Sequence, residues 1–282
     1  MEIIKSKEEM QKKALLWRIQ GKTIGLVPTM GYLHEGHLAL IKKAQQENDI
    51  TIATIFVNPI QFGPNEDYAT YPRDIVRDSE LCMKNNLDCL FIPDKEEMYP
   101  PGFNTYINVE GLDKYLCGAS RPGHFRGVAT IVMKLFALCQ PTRAYFGQKD
   151  IQQLTILKRM VCDLDLPLEI RMVPTLREAD GLAISSRNIF LTAEERQQAP
   201  GIYRALTLAE KMIAAGQDDA ISIIEKTEDY LKKEVSLGQI DYLQIVNAIN
   251  LVPLQRIQKP LIIAVAIKMP HARLIDNIYL DD

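Results

Sequence analysis

The chain reads as an α/β protein, with a doubly wound parallel sheet over residues 1–175 and a smaller α+β domain over residues 176–282. Two patterns predict this. From Thr23 to about Val173 short apolar runs alternate with longer amphipathic stretches, the rhythm of parallel strands covered by helices. After Pro174 the alternation stops, and two amphipathic stretches precede three strand-like runs with no helix between them, which suits an antiparallel sheet. A length of 282 residues also exceeds what one core usually organises.

In the first domain, strands are expected at Thr23–Val27, Ile50–Val57, Cys89–Ile92, Arg143–Phe146 and Glu169–Val173. Helices are expected to begin near Ser6, Leu33, Pro72, Phe125 and Asp150, the first opened by a capping box of Ser6 and Glu9. The segment TLREADGLAISSRN, rich in charge, marks the boundary. A second capping box, Thr192 and Glu195, opens one long helix, Ala193–Ala215, and a further helix spans Asp218–Glu234. Strands at Asp241–Val246, Leu261–Ile267 and Arg273–Tyr279 complete the second domain.

Composition narrows the function. Hydrophobic residues make up 47% and charged residues 24%, as in ordinary globular proteins. The net charge is −3, with Lys and Arg scattered among acids, which argues against a nucleic-acid partner because phosphate backbones select a basic stripe. Five cysteines without a C-x-x-C pair argue against a disulfide framework or a zinc knuckle. The start MEIIKSKEEMQKK carries no apolar signal core, and the longest apolar run, Leu261–Ile267, is too short to cross a bilayer. No membrane partner and a cytoplasmic location are therefore expected.

The most informative stretch is PTMGYLHEGHLALIKKA. A strand ends at Pro28, turns through Thr29–Gly31 and enters a helix carrying His34 and His37. Their spacing of three puts both imidazoles on one helical face. A helix N-terminus at the carboxyl end of a parallel strand offers backbone N–H groups and a positive dipole end to phosphate. The histidines can donate to phosphate oxygens and, when protonated, offset their charge; Gly36 leaves room between the rings. Structural packing or an H-x-x-H zinc pair are the alternatives, although a third zinc ligand is not evident.

Other segments add to this. In FGQKDIQQL, a strand again ends at a glycine, Gly147, and a helix starts near Asp150. Lys149 can reach phosphate there. Asp150 can cap the helix or bind a ribose, and Gln153 lies one turn further on. FVNPIQF follows a strand, and the amides of Asn58 and Gln61 can both donate and accept, which suits an uncharged, hydroxylated acid. RPGHFRGVAT supplies Arg121, His124 and Arg126, read from the residues alone as a basic loop at a helix start.

The stretch from Pro28 to His37 resembles the HIGH-type signature of the nucleotidylyltransferase superfamily, in the extended form found in pantothenate synthetases. FVNPIQFGPNEDYATYPR, RPGHFRGVAT, FGQKDIQQL and DGLAISSRN agree with that family in order, so the resemblance covers nearly the whole chain. It implies a Rossmann-like sheet with a C-terminal lid domain, and a ligase that activates pantoate with ATP as pantoyl adenylate. The adenylate then meets β-alanine, giving pantothenate, a coenzyme A precursor, with AMP and pyrophosphate released. His34, His37, Lys149 and Arg187 are implied as catalytic. ATP is implied to contact these four and Met30, Gly31, Gly147, Asp150, Leu176, Ile184, Ser185 and Ser186; the last two belong, with Arg187, to a KMSKS-like segment in which Gly181 gives freedom to close.

The resemblance further implies Gln61, Gln153 and Asn58 as the pantoate and β-alanine site, Tyr71 in the Gly63–Tyr71 stretch as its cover, Arg121 near the triphosphate, Mg²⁺ with Asp78 as its ligand, and a homodimer. Gln148 departs from the Glu usual there and is expected to point away from substrate. A nucleotidylyltransferase for another small metabolite is the alternative activity; it would need cations where Asn58, Gln61 and Gln153 stand. A non-catalytic nucleotide sensor or RNA-binding module derived from a synthetase is the other alternative, and it would bind ATP without turnover or carry a basic face.

Overall fold

The computed structural model describes residues 1–64 and 66–281. In chain order these form β1 (Glu2–Ile4), α1 (Lys7–Ile19), β2 (Ile24–Thr29), α2 (Glu35–Glu47), β3 (Ile50–Ile55), α3 (Ile75–Lys84), β4 (Cys89–Phe91) and the single turn α4 (Lys95–Met98). There follow α5 (Leu116–Ser120), α6 (His124–Cys139), β5 (Arg143–Gly147), α7 (Ile151–Asp163) and β6 (Glu169–Val173). The chain ends with α8 (Ala193–Gln198), α9 (Gly201–Ala214), α10 (Ala220–Glu234), β7 (Gln239–Asn247), β8 (Leu261–Lys268) and β9 (Arg273–Leu280). Two compact units result. One holds Met1–Glu110, Arg121–Gly147 and Ile156–Pro174; the other holds Gly111–Ser120, Gln148–Thr155 and the chain from Thr175 onward.

The first unit is built on a six-stranded, all-parallel sheet in the order β1-β4-β3-β2-β5-β6. Strands β2 to β4 progress in one direction and β5 and β6 in the other, so the winding reverses between β2 and β5. Ligands of such sheets gather at that reversal, outside the carboxyl ends. Each expected strand is present within two residues of its predicted end. β1 is an addition: three residues, EII, carry too little pattern to be read, and the strand exists because it pairs with β4. Helix α2 buries Leu40, Ile41 and Ala44 against a core containing Val27, Ala53, Leu90 and Tyr145, each of the larger aliphatic side chains stabilising by about 1.5–3 kcal/mol.

The second unit carries an antiparallel sheet in the order β7-β8-β9, with β8 buried along nearly its whole length. Leu261, Ile263, Val265 and Ile267 share a core with Ile202, Leu206 and Ile223 from α9 and α10. The Thr192–Glu195 capping box forms as expected, whereas at Ser6 only half a box forms: its hydroxyl accepts from Glu9 N–H and donates to Glu8. The single long helix expected over Ala193–Ala215 is two, α8 and α9. Pro200 cannot donate to the turn before it, so the chain restarts a helix there. Among the described residues no helix is long and apolar enough to cross a membrane.

Candidate active site

The switch point is opened by one residue. Ile24 C=O accepts from Thr142 on the β5 side, and Thr29 C=O accepts from Phe56 on the β3 side; by alternation, Pro28 faces β5. Proline has no N–H for a ladder. Pairing of β2 with β5 accordingly covers only Gly25 and Leu26, while pairing with β3 runs all the way to Thr29. The carboxyl ends of β2 and β5 therefore part, at Thr29 and Gly147. A Cβ on Gly147 would meet nothing within 4 Å.

Past Thr29 the chain makes a tight turn stitched by its own groups. Thr29 Oγ1 donates to Thr54 C=O at 2.6 Å and accepts from Gly31 N–H at 3.1 Å. Gly31 has φ +83°, and a Cβ there would lie 2.9 Å from Ile55, so glycine is required twice over. Asp78, 1% exposed, clamps the turn from α3: its two oxygens accept from Tyr32 N–H at 2.6 Å and Leu33 N–H at 2.8 Å. Burial pushes the Asp78 carboxyl above its ordinary range, with these N–H bonds and Arg77 pulling the other way. Arg77 bonds Leu33 C=O at 2.9 Å and lies over the Tyr32 ring.

The histidines form a reciprocal cap on α2. His34 Nδ1 accepts from Gly36 N–H at 3.1 Å, and His37 Nδ1 accepts from His34 N–H at 3.3 Å, with ring centroids 4.0 Å apart. A ring that accepts at Nδ1 carries its hydrogen on Nε2. In this arrangement both rings turn Nε2 away from the cap as an N–H donor. The reading of Gly36 changes. A Cβ there would sit 3.0 Å from the His34 ring, so the glycine makes room for the capping imidazole.

Met30 and Gln61 come together here, Gln61 Nε2 lying 3.1 Å from Met30 Sδ. Asn58, 1% exposed, spends its amide inside the protein: Nδ2 donates to Gln61 Oε1 at 2.9 Å and Gly127 C=O at 3.1 Å, and Oδ1 accepts from Tyr99 at 2.7 Å. Expected as a substrate contact, Asn58 is instead a buried bracket for Gln61. Arg121 chelates Glu66 at 2.7 and 2.5 Å and bonds His124, so it is engaged with an acid. Burial alone would raise the Glu66 carboxyl, but Arg121 holds it low. Gln61, Glu66, His124 and Arg126 line a cleft of about 230 Å³, below the roughly 300–1,000 Å³ of larger ligand pockets. Tyr71 is 5% exposed and packs edge-on to Phe62; Asn65, in the same expected covering stretch, lies outside the described residues.

In the second unit, Lys149 and Ser185 line one small cavity, about 10 Å³, with Leu182, Asn188, Tyr203 and Asp276. That is room for about one water. The backbone at Lys149 is fixed by Asn277, whose Nδ2 donates to the carbonyls of Gln148 and Lys149, each at 2.9 Å. Lys149 Nζ lies 4.0 Å from the half-exposed carboxylate of Asp150. Gln153 is partly exposed, whereas its neighbour Gln152 is buried and donates to Leu112 and Tyr115.

Leu176 and Ile184 sit opposite each other in a closed loop, Ile184 N–H donating to Leu176 C=O. Gly181, φ +96°, makes the reversal against Tyr203. Ser185 then caps a one-turn helix, accepting from Arg187 N–H at 3.3 Å, with Ser186 beside it 8% exposed.

Several supporting residues lay beyond sequence reasoning. Asn277 and Tyr99 act across long sequence separations; so does Arg177, which chelates Asp276 at 2.6 and 3.0 Å and stacks on Tyr203. Gly127 had a usable signal, a glycine inside an apolar helix: a Cβ there would lie 2.4 Å from Ile60 C=O. Mg²⁺ beside a nucleotide is held mainly by phosphates with one or two carboxylates at most, and the expected carboxylate, Asp78, is committed to the turn. Among the described residues no three His, Cys, Asp or Glu side chains cluster to hold a metal.

The comparisons agree with one another. The pantoate-beta-alanine ligase family description matches residues 2–279. The pantothenate synthetase of Thermotoga petrophila is 53% identical over 280 residues, covering 99% of this chain and all of the relative, and that of Moorella thermoacetica is 51% identical over 284 residues, covering 100% of this chain and 99% of the relative. The crystal structure of pantothenate synthetase from Thermus thermophilus superposes with TM-score 0.94 at 46% identity, covering both chains fully. A Francisella tularensis pantoate-beta-alanine ligase, complexed with beta-gamma ATP and beta-alanine, gives TM-score 0.81 at 34% identity, over 99% of this chain and 97% of that one.

Proposed function

We propose, because this chain belongs to the pantoate-beta-alanine ligase family, that it joins pantoate to β-alanine with consumption of ATP. A carboxylate is a poor acyl donor because its leaving group would be oxide. In the first step a pantoate carboxylate oxygen attacks the α-phosphorus; an acyl–O–P bond forms, the α–β anhydride breaks and pyrophosphate leaves. In the second step the β-alanine amine attacks the acyl carbon; a C–N bond forms, the C–O bond breaks, AMP leaves with the electron pair and the amine gives up a proton. The ATP and β-alanine of the Francisella complex support this choice of substrates.

The observation that carries the reading is the pair of imidazoles fixed through Nδ1 at the carboxyl end of β2. Their Nε2–H groups are assigned to phosphate oxygens, where charge builds on the departing pyrophosphate, as are Lys149, Ser185, Ser186 and Arg187. Met30, Gly31, Gly147, Asp150, Leu176 and Ile184 are assigned to the rest of ATP, and Gln61 with Gln153 to pantoate. A nucleotidylyltransferase acting on a phosphorylated metabolite would call for cations in place of Asn58, Gln61 and Gln153; the Gln61 side-chain amide instead bonds Asn58 and Met30. We further assign the reaction to the cytoplasm and the active form to a homodimer, which sedimentation would test.

The experiment is product release with pantoate, with and without β-alanine. Pyrophosphate without free AMP from pantoate alone, and AMP only when both are present, is the expected result. Release of pyrophosphate that ignores pantoate would overturn the reading.

A further inference from the structure

The orientation of the Gln61 amide follows from one backbone carbonyl. Gly127 C=O can only accept, so the group facing it at 3.1 Å must be the Asn58 NH₂. Asn58 Oδ1 then faces Tyr99, whose hydroxyl at 2.7 Å must donate. The remaining Asn58 N–H points at Gln61 from 2.9 Å and demands Oε1 there. Gln61 is left presenting its NH₂ on the Met30 side. Burial keeps the Tyr99 phenol protonated by pushing its pKa up, and the ring is held edge-on to Phe103 and beside Phe56.

The backbone of the same residue is pinned from a second direction. Gln61 C=O is 2.8 Å from His124 Nδ1, which must therefore carry the hydrogen; His124 Nε2 accepts from Arg121 at 3.0 Å, and Arg121 is held by Glu66. The close approach that aligns both relays needs Gly127, because a Cβ there would lie 2.7 Å from the Gln61 backbone.

The geometry points to Tyr99 as a positioning residue that, through Asn58, fixes Gln61 as a hydrogen-bond donor and so selects an oxygen acceptor on the acid substrate. This rests on the assignment of Gln61 to pantoate. In Tyr99→Phe the ring packing is kept, but Asn58 Oδ1 is left buried without its donor, so that the Gly127 carbonyl alone still holds the sense of the Asn58 and Gln61 amides and their preference weakens. The same loss should appear as exchange broadening of the Gln61 side-chain amide signal in nitrogen–proton NMR spectra.

The test measures KM for pantoate and for ATP, together with kcat, in the wild-type and Y99F proteins. Pantoate-dependent turnover of the wild type checks the underlying assignment first, so its failure is separable from failure of the relay. The relay requires KM for pantoate to rise about 5- to 20-fold, one lost oriented hydrogen bond, with KM for ATP and kcat within about 2-fold. An unchanged KM for pantoate, or parallel loss on both substrates, overturns it. If Y99F does not fold, Gln61→Glu in the wild-type background decides: a carboxylate presents oxygen in place of N–H, so KM for pantoate must rise while KM for ATP holds, and equal effects on both overturn the proposal.

Discussion

The two stretches assigned to phosphate differ in what anchors them. The Thr29–His37 turn is held by short bonds to its own backbone, by two glycines and by a nearly inaccessible carboxylate. The Leu176–Arg187 loop, also closed by backbone bonds such as Ile184 N–H to Leu176 C=O, is fastened to its unit by side-chain ion pairs: Arg177 with Asp276, and the partly exposed Arg196 with Glu178 and Asp180, both at 2.6 Å. The first arrangement has donors in fixed directions before substrate arrives, the condition under which electrostatic stabilisation is strongest. In the second, the partly exposed Arg196 pairs are open to screening by salt.

His37→Ala is expected to do most damage, lowering the rate of pyrophosphate release by about 10²- to 10³-fold, with circular dichroism showing the fold retained. A near-normal rate would place the chemistry elsewhere. Asp78→Asn comes next. An amide nitrogen would face the Tyr32 or Leu33 N–H, and one orphaned donor costs about 1–3 kcal/mol, readable as a lower urea midpoint with unchanged slope. Together these two variants separate what the turn does from what holds it.

Glu195 gives a pH-dependent effect in the second unit. Burial alone would raise its carboxyl, but N–H groups of Thr192 and His271 and the His271 ring hold it below the ordinary 4.5. A depressed folded value means stability present above pH 4.5 and lost as pH falls through the folded value. Glu195→Gln should be less stable at neutral pH and should show a flatter acid limb in thermal melts. Arg196→Ala is expected to be mildest, at or below about 1 kcal/mol, since its partners are partly exposed. Its effect should shrink further in about 1 M salt; a salt-independent loss would contradict the contrast between the two stretches.

Much of this was legible because buried parallel strands leave continuous apolar runs, and because the histidine pair and the glycines around it sit within ten residues of one another. What escaped depends on distance along the chain. Asp78 reaches back 46 residues to Tyr32, and Asn58 meets Gly127 across 69, so no local pattern records either bond. Asn58, read as a substrate amide, and Asp78, implied as a Mg²⁺ ligand, are both turned inward as supports. Pro28 was visible throughout, but its effect depends on which neighbour its missing N–H faces, and that is settled only by the strand order.

The central claim is that pantoate oxygen attacks the α-phosphorus at the Thr29–His37 turn. Its most direct test is to supply pantoate with both carboxylate oxygens heavy-labelled, ATP and β-alanine, and to weigh the products by mass spectrometry. The account requires one labelled oxygen in AMP for each pantothenate formed, with none in pyrophosphate. Unlabelled AMP, or label in any released inorganic phosphate, would contradict it.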